Sequence, residues 1–457
     1  MSSLKKGSVH LKKKIHFGWF VGTYYGPTGW DAPYAALGYD WREPEMYQEM
    51  AAICEKGMFD IAIVADRLGI CNVYQNSPDT YVKWGFDGVC HDSTVMAALI
   101  AAGTKHIGVA TTISTSLTQP YMMARQTASL DHLSRGRAAF NVVTTATGPG
   151  YDVMGIDDTF EQGDRYDRAD EYMDLCFQLW SSWEPDAVVM DRKTGIFADP
   201  TKVHSLDFDG KYYKCRGPLN VAPCPQGRPA IIQAGTSERG REFAARWADA
   251  VIAGFGTEDE MKAFYDDLKG RVVKYGRKED DLKILFSTLP VLGETDEIAS
   301  IRSGMQSKWG HGPQLLEAQD DIEAGLAMLS YQWNLDLAQF ELDEPLPQLD
   351  LTDMRNTQAL PNLIKYYSLD PRPTVREMVQ SQTIRRAPII GTPEYVADRL
   401  ESMMANVGGD GFTLRVSPYN LSYMSDFVNM VIPILQERDL VRKEYTGRTL
   451  REHLLEY

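Results

Sequence analysis

Eight short apolar runs recur along the chain, at 15–20, 60–66, 106–112, 137–144, 229–235, 249–255, 283–291 and 411–417. Most lack strict alternation with polar residues, the pattern of parallel strands buried on both faces. The segments between them carry helical punctuation. At 44–56, Pro44 suits a first turn and Gly57 follows the last one. At 92–102, Asp92 can cap the amino end, Val95, Met96, Leu99 and Ile100 form a helical stripe, and Gly103 ends it. The stretches 164–180, 237–248, 258–275 and 394–405 read the same way. Strand then helix, sustained eight times, predicts the α/β class and a single (β/α)8 TIM barrel rather than an open sheet.

The long segments have a consistent place. Those at 19–43, 67–91, 145–163 and about 310–392 follow strands 1, 2, 4 and 7, so they are expected at the carboxyl face of the barrel, where active sites lie. The last is rich in Pro, Asp and Leu and reads as a partly helical lid. The stretch at about 184–228 precedes strand five and reads as a surface hairpin excursion. One elaborated domain spanning 1–457 accommodates all of this.

Composition agrees. At 457 residues, 44% hydrophobic and 24% charged, the chain can bury a large core. A formal net charge of −16 argues against a nucleic-acid surface, which needs clustered cations. Lys5, Lys6, Lys12, Lys13 and Lys14 form a short basic group that reads as a solvated leader, and no run approaches the ~18 apolar residues of a membrane span. Cys54, Cys71, Cys90, Cys176, Cys215 and Cys224 are scattered, without a C-x-x-C pair or close histidines. They read as reduced thiols, with no metal site, in a cytoplasmic protein.

The common catalytic signatures are missing: no phosphate loop of the G-x-x-x-x-G-K-[ST] type, no H-E-x-x-H, no G-x-S-x-G, and no G-x-G-x-x-G after a strand. The sharpest local signal is Gln233-Ala234-Gly235-Thr236-Ser237-Glu238-Arg239-Gly240-Arg241, where strand five ends in small residues and a helix begins. Backbone N–H groups there, with the Thr236 and Ser237 hydroxyls, can hold a phosphate without a lysine. Taken alone, Ser237 reads first as an ordinary N-cap. Asp66 ends the second strand, where its carboxylate can accept from a ligand or a loop amide, or pair with Arg67 or a neighbouring helix.

Five ordered blocks resemble a known family. They are Gly57-Met58-Phe59-Asp60 through Ala65-Asp66; Ser129-Leu130-Asp131-His132-Leu133-Ser134-Arg135-Gly136-Arg137 into Asn141-Val142-Val143-Thr144; Asp164-Arg165-Tyr166-Asp167-Arg168-Ala169-Asp170-Glu171-Tyr172; Phe197-Ala198-Asp199-Pro200-Thr201-Lys202-Val203-His204; and the Gln233 turn. Together they resemble the bacterial-luciferase-like flavin monooxygenases, in the group with nitrilotriacetate, EDTA, dibenzothiophene-sulfone and long-chain alkane monooxygenases.

The resemblance implies reduced FMN, delivered by a separate NAD(P)H:FMN reductase, and O2 as co-substrate. The flavin peroxide formed would oxygenate a small molecule while the protein excludes water. It assigns the flavin phosphate to Tyr166, Ser237 and the backbone of Ala234, Gly235 and Thr236, and sets Asp66, Thr112 and Thr145 against the isoalloxazine. For the two threonines, simple strand-end hydroxyls remain an equal reading, and Tyr166 can also be a rim tyrosine. Relatives carry histidine where this chain has Ala146 and Gln162. Gln162 can still donate to a phosphate, whereas Ala146 offers only backbone and apolar contact. His311, opening the large insertion, is a candidate lid histidine that donates to the peroxide or the substrate, or else an exposed loop residue. His16, His106 and His132 read as structural.

Phe20, Tyr24 and Trp30 are candidates for the substrate pocket, with packing of the first loop on its own barrel as the alternative. That loop is aromatic and nearly free of cations, which favours a neutral aromatic substrate, such as an aryl sulfone or halogenated arene, over a polycarboxylate; a sulfide or alkane stays open. A homodimer or homotetramer is expected from the relatives. Two other functions stay open at this point: a deazaflavin-dependent oxidoreductase, and a flavin-storage barrel without a competent pocket.

Overall fold

The computed structural model describes residues 13–21, 40–85, 89–145, 149–156, 162–254, 257–300, 302, 322–350, 359–381, 389–415 and 421–457. Its centre is a closed barrel of parallel strands: β1 His16–Val21, β2 Ile61–Val64, β3 Gly108–Ser114, β4 Ala138–Val143, β5 Ala230–Gln233, β6 Ala250–Ala253, β7 Lys283–Thr288 and β8 Gly411–Leu414. Neighbours around the barrel follow chain order, and β8 closes on β1 in the register His16 to Gly411. The helices are α1 Glu45–Lys56, α2 Ser93–Gly103, α3 Pro120–Leu133, α4 Gln162–Trp180, α5 Glu238–Trp247, α6 Glu258–Lys274, α7 Pro393–Val407 and α8 Ile432–Glu437. The (β/α)8 expectation holds strand by strand.

Strand periodicity sorts side chains into two layers. Inside lie Ile61, Ile63, Ala110, Ala139, Ala230, Ile232, Ala250 and Ile252. Outside, Phe17, Trp19, Val64, Val109, Val251, Phe286, Phe412 and Leu414 pack against the helices. A terminal helix, Leu450–Leu454, closes the amino end of the barrel by adding Leu450 and Leu454 to the inner cluster. Gly108 makes room for it: a methyl there would come within 2.6 Å of Leu450 Cδ1.

That amino end is laced by buried carboxylates. Asp60 accepts from the Phe17 amide at 3.0 Å, Asp249 from Ile231 at 2.7 Å, Asp410 from Ile284 at 2.7 Å and Asp131 from Ala138 at 3.2 Å. Three of the four have basic partners: Arg442, with His16 Nδ1 3.1 Å away, for Asp60, Arg228 for Asp249, and Lys13 and Lys269 for Asp410. For these three, burial pushes the carboxyl up, but the neighbouring cations outweigh it and hold it below the ordinary range. Asp131 has Gln226 instead, whose Nε2 donates at 2.6 Å, and burial raises it to about 6.

The insertions fall after β1, β2, β4 and β7 as expected. The 184–228 stretch forms two antiparallel hairpins, Val188–Asp191 with Ile196–Ala198 and Phe208–Asp209 with Lys214–Cys215. The β7–α7 insertion is helical in part, at Ile322–Trp333, Ala359–Tyr367 and Val375–Ser381. It does not stand alone. Leu329, Trp333, Leu363, Tyr366 and Val379 share a satellite core with Cys71, Tyr74 and Tyr81 of the β2–α2 insertion, and the Tyr81 hydroxyl donates to Ala327 O at 2.9 Å. All six cysteines are free thiols. Among the described residues no helix is long and apolar enough to cross a membrane, and no cluster of His, Cys, Asp and Glu is arranged to hold a metal.

Candidate active site

At the carboxyl end of β5 the chain turns through Ala234 to Ser237 and enters α5, with Ala234 and Thr236 open to solvent. Ser237 is the N-cap: its Oγ accepts from the Gly240 amide at 3.1 Å. The ordinary reading of Ser237 is therefore met in the structure, and the hydroxyl sits at the helix start, where a backbone cradle gathers positive potential. Tyr166 comes to the same place from α4. Its ring, 7% exposed, packs 5.7 Å from that of Phe243 in α5. A methyl added at Gly240 would lie 2.8 Å from the Tyr166 hydroxyl, and one at Gly235 would lie 3.0 Å from it. The two glycines thus create the space in which the tyrosine hydroxyl meets the turn.

Arg239 does not supply the charge. Its guanidinium is held by Asp167 at 2.5 Å and Asp170 at 3.0 Å, and Asp170 also accepts from the Trp247 indole at 2.7 Å, so these contacts lock α5 to α4. What remains is a solvent-open turn of helix-start amides, a hydroxyl from each of two helices and no lysine, which fits a phosphate group.

Asp66, Thr112 and Thr145 stand at the ends of β2, β3 and β4 on this same face. Asp66 accepts from the backbone amides of Arg67, at 2.7 Å, and Ser93, at 3.1 Å, and burial raises its pKa. It orders the loop that leads into α2. The Arg67 guanidinium stacks 4.0 Å from the ring of Tyr331 in the large insertion, so one peptide joins the Asp66 carboxylate to the lid. Thr145 donates to Ser114 Oγ at 2.7 Å. Thr112 donates to Val64 O at 2.6 Å and accepts from Asn141 Nδ2 at 2.8 Å. Its hydroxyl proton is committed within the barrel, so Thr112 acts on Asn141.

Asn141 and Gln233 belong to blocks that the sequence analysis quotes, but the sequence assigns neither of them a role of its own. Each is 4% exposed, and Asn141 Oδ1 and Gln233 Oε1 are buried without a hydrogen-bond partner. An orphaned acceptor beside a binding face is a place for a ligand N–H. The signal was present: an amide in the otherwise apolar strand Ala138–Val143, and another closing Ala230–Gln233.

Phe20, at the end of β1, is half-buried and joins the inner barrel cluster. Tyr24, Trp30, Ala146 and His311 lie outside the described residues, and Gln162 opens α4 with its side chain outside them as well.

A closed (β/α)8 barrel with an anion cradle after β5 and buried polar acceptors at its carboxyl end has the form of a barrel enzyme that takes a phosphate-bearing ligand. The family model for luciferase-like monooxygenases matches residues 31–411, and the chain belongs to that family. It is 37% identical to nitrilotriacetate monooxygenase component A of Aminobacter aminovorans, over 95% of this chain and 94% of the relative. It is likewise 37% identical to dibenzothiophene-sulfone monooxygenase of Rhodococcus erythropolis, over 91% and 90%. Among solved structures, a riboflavin lyase crystallised with modified FMN and riboflavin superposes with a TM-score of 0.82 at 31% identity, covering 97% of this chain and 96% of that one. The chain is thus a flavin-dependent monooxygenase of this family.

Proposed function

We propose that the protein is the oxygenase component of a two-component system that uses reduced FMN and O2 to oxygenate a small organic substrate with an apolar, aromatic body. The observation that carries this reading is the cradle built by Tyr166, Gly235, Gly240 and Ser237, on the face that also holds Asn141 and Phe20. In this reading Tyr166, Ser237, Gln162 and the backbone of Ala234, Gly235 and Thr236 bind the flavin phosphate. Asp66, Thr112 and Thr145 order the β2 to β4 side of the ring site, where Asn141 Oδ1 accepts. Phe20, Tyr24 and Trp30 contact the substrate, and His311 serves as lid proton donor.

Bound reduced flavin supplies the oxygen activation. The chain binds and orients it, and the lid excludes water. In this reading a separate NAD(P)H:FMN reductase provides the cofactor, as the name of the Aminobacter relative, component A, suggests. The free thiols suit the reducing cytoplasm, and a homodimer or homotetramer is the proposed assembly, read directly by sedimentation.

Oxygen uptake with FMN, NADH and a separate reductase tests the function. Product carrying oxygen from 18O2, formed only with substrate present, supports it; product formation under argon, or none across a panel of aromatic sulfones, haloarenes, sulfides, alkanes and polyaminocarboxylates, counts against it.

A further inference from the structure

The inner surface of the barrel changes character toward its carboxyl end. On β3 and β4 the two-residue strand period leads inward from Ala110 and Ala139, both in the apolar inner cluster, to Thr112 and Asn141, and both pairs stand in register. The Thr112 hydroxyl donates to Val64 O at 2.6 Å. A backbone carbonyl can only accept, so the one hydroxyl proton is committed there, and Thr112 Oγ1 offers nothing but lone pairs to its other neighbour. Asn141 therefore meets it with its amino group, Nδ2 donating at 2.8 Å. That fixes which way round the amide stands. Its oxygen is the end left over: the residue is 4% exposed, and Oδ1 has no hydrogen-bond partner among the described residues. A buried acceptor without a donor destabilises the empty barrel, and a ligand that brings an N–H to this end of the barrel would relieve it.

A flavin carries such a donor in one redox state and not in the other. Two-electron reduction of the isoalloxazine puts a proton on N5, which has only a lone pair when the ring is oxidised, whereas N3 keeps its proton in both states. An acceptor that cannot turn into a donor matches the reduced N5. It opposes the oxidised one, because two lone pairs then face each other where water is excluded. A hydroxyl at that place could reverse its bond, but an amide held by Thr112 cannot. We propose that Asn141, oriented by Thr112, accepts from N5 of reduced flavin and is the residue by which the site selects reduced over oxidised FMN. The inference rests on the flavin monooxygenase reading and gives its preference for reduced cofactor a cause in one side chain.

The test uses the full chain under anaerobic conditions. Oxidised FMN and dithionite-reduced FMN are titrated separately, and the midpoint potential of the bound couple is compared with that of free FMN. The parent should bind reduced FMN about tenfold tighter than oxidised FMN, which raises the potential by about 30 mV for a two-electron couple. Asn141→Leu should take that tenfold from the reduced state alone, with oxidised-FMN affinity unchanged or improved, and return the potential toward that of free FMN. Thr112→Val, which keeps the acceptor but lets the amide turn, should lose a few-fold of the same preference and carries the test should the leucine variant not fold. Ser237→Ala, at the phosphate end, should weaken both states alike and leave the potential where it was. Equal affinity of the parent for the two states overturns the proposal. So does an Asn141→Leu variant that loses oxidised and reduced FMN equally, since the amide would then face a proton present in both. Absence of binding by the parent in either state strikes the flavin monooxygenase reading, and this inference with it.

Discussion

The two ends of the barrel are built on opposite principles. At the amino end, Asp60, Asp249 and Asp410 each tie a strand start to its neighbour by a backbone amide, Asp131 ties the end of α3 to the start of β4, and Leu450 and Leu454 plug the interior. At the carboxyl end, amide oxygens of Asn141 and Gln233 are buried without partners, and glycines keep space open around Tyr166. The first end meets most of its buried charges with ion pairs, although His453 Nδ1 there has no hydrogen-bond partner, whereas the second leaves neutral amide oxygens without one. Stability and binding are thereby separated along one axis, as the barrel fold allows.

The comparison is broken most sharply at Arg442, which pairs with Asp60 at 2.5 Å. Arg442→Met leaves a buried carboxylate with only His16 beside it, and a loss of about 3–5 kcal/mol is expected in urea unfolding, with reduced-FMN affinity retained by the folded fraction. The next effect is pH-dependent. Because burial raises Asp131 to about 6, its contribution is fully present below the ordinary carboxylate value near 3.8 and is lost as pH rises through about 6. The stability of the parent relative to Asp131→Asn should therefore fall by about 2–3 kcal/mol from pH 4 to 6.5 and then level off. Asp60 and Asp410, whose pKa values are lowered, act with the opposite sign, losing their contribution as pH falls below the ordinary carboxylate range.

At the carboxyl end the effects should move from stability to affinity. Tyr166→Phe removes the hydroxyl proposed to bind the phosphate and should weaken reduced-FMN binding by about ten- to a hundredfold, the equivalent of a charged hydrogen bond of about 1.5–3 kcal/mol. Gly240→Ala should do the same by crowding that hydroxyl, and because its methyl would also meet Ser237 Oγ at 3.0 Å and the Gly235 backbone at 3.2 Å, it should lower the melting temperature despite the better helix propensity of alanine. The smallest expected change is Ser237→Ala, about 1 kcal/mol from loss of the N-cap, read by thermal unfolding without flavin.

The barrel was legible because its strands are apolar on both faces and its helices are capped in a standard way; the Asp92 side chain does accept from the Thr94 and Val95 amides. Strand seven was read too long. It ends at Thr288, and Val291 and Leu292 pair separately with Ile390 and Gly391 beyond Pro290, which has no amide to continue the ladder. The Gln233 to Arg241 turn is legible as a strand end running into a capped helix, which makes it a candidate cradle, but the part played by its glycines is not, since that depends on where Tyr166 arrives from α4. Thr112 could be named from its place at a strand end, yet its partnership with Asn141 appears only when β3 and β4 stand in register.

The shared core of the β2–α2 and β7–α7 insertions bears on how such barrels can be recombined. Because Tyr81 packs with Leu329 and Trp333 across more than half the chain length, the two segments form one cassette split between two loops. A chimera that imports the large insertion from a relative without its companion would expose half of an apolar interior on each side. Exchanging both together moves that shared core as a unit.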